Sequence, residues 1–147
     1  MSDALLRFVT SVHGHLGALA AVALLHPAVL LWRGRPATRG VRWTIGLATA
    51  LVTAAYAMGI GLYGDYRSLV KRPLFREDAV TGFLFETKEH LAFVAVVLAI
   101  GAVLPSLLEG PEQADLRRLA ARCWAGAALA CWVVGALGTW VESVRGF

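Results

Sequence analysis

Val12-His13-Gly14-His15-Leu16 and Leu24-Leu25-His26-Pro27 belong to one apolar run, residues 9–32, that closes on Trp32. As a helix the run is long enough to cross the hydrocarbon core of a bilayer, which takes roughly 20 residues. It holds three of the four histidines in the chain. Ionisable side chains inside a membrane span are costly and mark functional sites, so this helix is expected to define one. The fourth histidine opens a later apolar run, in Lys88-Glu89-His90-Leu91.

Working outward, three further runs follow at residues 43–63, 90–108 and 119–141. The 147-residue chain is 58% hydrophobic, with a mean hydropathy of +0.64. That is too apolar for a soluble domain of this length. The expected fold is all-α: an integral membrane four-helix bundle, one domain over residues 1–147, with a long connection between spans two and three. The opening Met1-Ser2-Asp3 leads into the first span without a short apolar region and cleavage site. The N-terminus is therefore expected to be retained and helical from about Asp3, a residue suited to an N-cap. Aromatic residues near the span ends suit interfacial belts, with Trp32, Trp43 and Trp124 on one side and Tyr63, Tyr66 and Trp140 on the other.

Charge suggests an orientation. The first connection holds Arg33, Arg35, Arg39 and Arg42 and no acid. By the positive-inside rule it faces the cytoplasm of a bacterial inner membrane, which leaves both termini and residues 64–89 outside. The net charge of +4 comes from juxtamembrane arginines, which suit anionic headgroups of the lipid bilayer and not nucleic acid. Cys123 and Cys131 lie in one apolar helix with no Cys-x-x-Cys, which excludes a quinone-linked thiol oxidase and leaves two small apolar fillers. Glycine and alanine recur within the spans, where they allow close helix packing or leave room for a flat cofactor, and so much small-residue surface also suits a homo-oligomer.

Helix geometry separates the early histidines. His13 and His15 project about 200° apart and cannot both face one neighbour. His13 shares its face with Thr10 and Gly17, whereas His15 shares its face with Ser11, Leu19 and His26. If span three starts near Ala79, after Asp78, then His13, His15 and His90 lie at a similar depth. Two imidazoles from facing helices with small residues beside them are what a six-coordinate b-type haem needs.

With Thr10-x-x-His13-Gly14-His15-x-Gly17 in span one and His90 in span three, the chain resembles the small four-helix membrane b-type cytochromes. The resemblance implies one haem b held by His13 or His15 together with His90. It implies propionates paired with bases such as Arg67, Lys71 or Lys88, and electron transfer between the quinone pool and a partner or respiratory complex. His26 has no histidine partner for a second haem.

The same residues suit other roles. Glu86 and His90 share a helical face, and with His13, His15 or His26 they offer a mixed nitrogen and oxygen set for copper, zinc or iron. Glu86 is alternatively a partner that orients His90. A metal-binding assembly factor of a respiratory oxidase, or a structural accessory subunit whose histidines bridge helices, fits these features too. Residues 65–72 are expected to form a short interfacial helix ended by Pro73, with Phe75, Phe83 and Phe85 dipping into the headgroups or covering the site. Met58 reads as core, Trp124, Trp132 and Trp140 as lipid-facing anchors, and Pro27 as a kink beside His26.

Overall fold

Each apolar run folds as a helix longer than the run itself. In the computed structural model, which describes residues 2–108 and 113–145, α1 spans Asp3–Trp32 and α2 spans Arg39–Tyr66. A five-residue π-helical segment, Arg67–Lys71, follows, and α3 spans Arg72–Glu77. Then come α4, Ala79–Leu108, and α5, Ala114–Val144. Four helices are long and apolar enough to cross a membrane, and among the described residues every element is helical.

The helix ends have local causes. Ser2 stands at the N-cap of α1 without a side-chain bond, and Asp3 is the first helical residue, where its charge suits the helix dipole. Gly34 takes a positive φ of 74° and ends α1, with its N–H donating to the Leu31 carbonyl and that of Arg35 to Leu30, each at 3.0 Å. Pro27 lies inside α1, which continues through it to Trp32.

The connection after span two differs from expectation. Residues 67–77 are helical, so the long loop shrinks to a break at Asp78. Pro73 does not end a helix; it sits in the first turn of α3, where a missing N–H is tolerated. Proline cannot bond the carbonyl four residues back, here Leu69. The Arg145 Nε–H donates to that carbonyl at 3.3 Å instead. Asp78 then starts α4: its carboxylate accepts the backbone N–H groups of Val80 at 3.1 Å and Thr81 at 3.3 Å and the Thr81 hydroxyl at 2.6 Å. The turn is tight enough that a Cβ on Gly82 would stand 2.9 Å from Phe75 Cγ, so glycine is required where α3 folds back on α4.

α1 packs on α2 and α5, and α4 packs on the same two helices, so α1 and α4 occupy opposite corners of the bundle. Half of its buried apolar residues are alanine, while Phe8, Leu19, Val80, Leu104 and Leu129 are each at least 60% exposed. This inverts the soluble pattern. Lipid accepts large apolar side chains, and small residues let the helices approach. A main core joins all four long helices, and a smaller cluster of Val70, Leu74, Phe85 and Val141 closes the end that carries the chain termini.

Three aromatic expectations need correcting. Phe85 does not dip into the headgroups: it is buried with Val70, Leu74 and Val141, because its face of α4 turns inward toward α3 and α5. Trp124 is not an interfacial anchor: it is fully buried, and its indole N–H donates to Ser106 Oγ at 2.9 Å. Burying an indole among alanines fills the space they leave, and the serine satisfies its one donor. Tyr66 faces inward, with its ring 5.9 Å from that of Phe85. Trp32 and Trp43 are about 70% exposed, as interfacial residues should be.

Candidate functional site

Between the main core and the smaller cluster lies a half-open cavity of about 1030 Å³, walled by all four long helices. Its size falls at the upper end of small-molecule sites, roughly 300–1,000 Å³. From Thr10 to Val22 on α1 it runs about 18 Å along the helix axis. Gly14, Gly17, Gly59, Gly135 and Gly138 line it, so the helices leave room there. One end is polar, with Lys71, Lys88, Glu89, Glu142 and Arg145. The other is apolar, with Ala21, Val52 and Val96.

His13 and His90 enter this cavity from opposite corners of the bundle. The His13 ring packs on α2, where a Cβ on Gly59 would approach its Cε1 to 3.2 Å. Its Nδ1 is buried with no hydrogen-bond partner. His90 is exposed at the cavity wall, and its Nδ1 lies 2.8 Å from the Glu86 carbonyl oxygen. With Nδ1–H donating there, Nε2 carries the lone pair. Each ring thus keeps one nitrogen without a protein partner among the described residues.

The other expected residues divide. His15 turns away, with Nδ1 2.7 Å from the Ser11 carbonyl oxygen. It borders a separate groove of about 560 Å³ between α1 and α5, with Arg7, Thr139 and Glu142. His26 is exposed further along α1 and does not line the cavity, and neither does Arg67. Lys71 does line it, but its ammonium is already committed to Glu89 at 2.7 Å and Glu86 at 3.3 Å. The Glu86 carboxylate therefore faces Lys71, and Glu86 holds His90 only through its backbone. Among the described residues no three His, Cys, Asp or Glu side chains group as a metal site.

Three further residues shape the polar end of the cavity. Lys88 places its ammonium 4.5 Å from the Phe85 ring centroid and 5.3 Å from that of Tyr66. Thr10 and Glu142 complete the polar end, and Glu142 borders both the cavity and the α1–α5 groove. The sequence marks Lys88 as a candidate base, and the face that Thr10 shares with His13 is the available sign of Thr10. Nothing in the local sequence points Glu142 inward.

Comparison with protein-family models, curated proteins and solved structures finds no match. Function is therefore argued from the site.

Proposed function

We propose that this chain is a bacterial inner-membrane protein that binds one b-type haem and passes electrons between the quinone pool and a partner, with both termini outside the cytoplasm. The observation that carries the reading is the pair of imidazoles, His13 and His90, lining one cavity from opposite corners, each with an unpartnered nitrogen.

The residues present fit the group. An apolar slot walled by glycines suits a flat macrocycle, and His13 and His90 would hold its iron. When bound, haem supplies one-electron oxidation and reduction. The protein's part is to hold and orient it. The Glu86 carbonyl fixes the tautomer and direction of His90. Gly59 admits the His13 ring. Lys88, at the polar end of the cavity, would pair with a propionate, whereas Lys71 is engaged by Glu86 and Glu89 and Arg67 lies outside.

The ion-binding reading has less support, because Glu86 is paired with Lys71 and no third donor among the described residues joins the two histidines. Replacing His90 by Ala should abolish haem retention during purification from haem-supplied cells. Haem content and reduced spectrum identical to wild type in that variant would sink the proposal.

A further inference from the structure

Lys88 is a cation inside the bundle with no ion-pair partner among the described residues. Its stem lies against α5, where a Cβ on Gly138 would meet Cδ at 3.7 Å. Its ammonium rests over the faces of Phe85 and Tyr66, and the residue lines the cavity. Glu89 and Glu142 are the acids that act on it through space. Neither reaches ion-pair distance, and Glu89 is engaged by Lys71 at 2.7 Å. A lysine free to snorkel would carry its ammonium out to water; this one is held by aromatic rings at the polar end of an apolar cavity. A charge so placed is stabilised by an anion that arrives with its own apolar body.

The rest of the cavity supplies the place for that body. From the Lys88 end it runs past Gly14 and Gly17 to Ala21, Val52 and Val96, about 18 Å along α1, the length of a long acyl chain. It is half open, within helices whose outer faces are apolar, so a ligand can enter from the bilayer. We infer that the cavity binds a single-tailed acidic amphipath, with its carboxylate or phosphate on Lys88 and its tail along the apolar wall. The inference goes beyond the haem reading and does not rest on it. Haem offers acidic groups to the same end of the cavity, so the two ligands compete.

The test titrates full-length protein in detergent with stearate, methyl stearate and lysophosphatidate, and counts bound ligand by native mass spectrometry. Stearate or lysophosphatidate should bind as a single equivalent. Lys88→Gln should weaken that binding by at least about tenfold, as loss of a charge-assisted bond implies, and Lys88→Arg should largely restore it. Tighter binding of lysophosphatidate than of stearate assigns a phosphate head; the reverse order assigns a carboxylate. Equal affinity of wild type and Lys88→Gln for both acids, or methyl stearate binding as tightly as stearate, overturns the inference. Lys88-dependent stearate binding by protein that takes up no haem would leave it standing while removing the haem proposal. Haem uptake with Lys88-independent stearate binding would do the opposite.

Discussion

His13 and His15 are two positions apart and have opposite surroundings, one packed against Gly59 and lining the cavity, the other bonded to the Ser11 carbonyl at the bundle surface. Helical spacing predicts that they diverge; which of them faces inward depends on how α1 docks on α2 and α5, and that is not written in α1 alone. Gly59 is where the docking becomes visible. A Gly59→Ala change puts a methyl 3.2 Å from the His13 ring and should displace it, lowering haem retention while leaving helix content unchanged. Gly61→Ala, with open space at its Cβ, is the control. Circular dichroism and haem-to-protein ratio read the two effects separately. Trp124 shows the limit of reading residue type: an aromatic near a span end suits an interface, but the structure buries it against Ser106. Ser106→Ala should strand the indole N–H and destabilise the bundle by about 1–3 kcal/mol, measured by unfolding in detergent.

Among the elements, the four long helices were legible because apolar runs of span length have one economical conformation in lipid, where every backbone group must bond internally. The segment between spans two and three was not. Its charges resemble those of a loop, yet its backbone stays helical because tertiary partners satisfy it: Arg145 takes the Leu69 carbonyl that Pro73 leaves free and pairs with Glu77 at 2.7 Å. Such contacts, between positions far apart in the chain, leave no local pattern. The break at Asp78 does have a local cause, and it sets the start of α4 and hence the depth of His90. The Thr81 hydroxyl, with the Thr81 and Val80 N–H groups, holds the Asp78 carboxyl below the ordinary range. A folded-state value depressed below the unfolded one gives stability that is full above the ordinary carboxyl range and is lost as pH falls through the depressed value. Thermal unfolding of wild type should therefore show an acid-side loss that is smaller in Asp78→Ala, and equal pH profiles would contradict the cap.

Across the whole molecule, the alanine-filled interior and apolar exterior match what composition announces, a bundle built for lipid. Composition does not announce the cavity, because an empty volume is the sum of small residues on four helices, each of which reads locally as close packing. The proposed orientation places the arginine-rich 33–38 connection in the cytoplasm and the polar end of the cavity at the outer face. A reporter active only outside the cytoplasm should work when fused after Phe147 and fail when inserted at Ala37; the reverse pattern would invert the topology. The most direct test of the central claim is the visible absorption spectrum of the purified protein, expressed with ample haem, as isolated and after dithionite reduction. A sharp Soret band with resolved α and β bands on reduction, lost in His13→Ala and His90→Ala, is the predicted result. A featureless spectrum would contradict it.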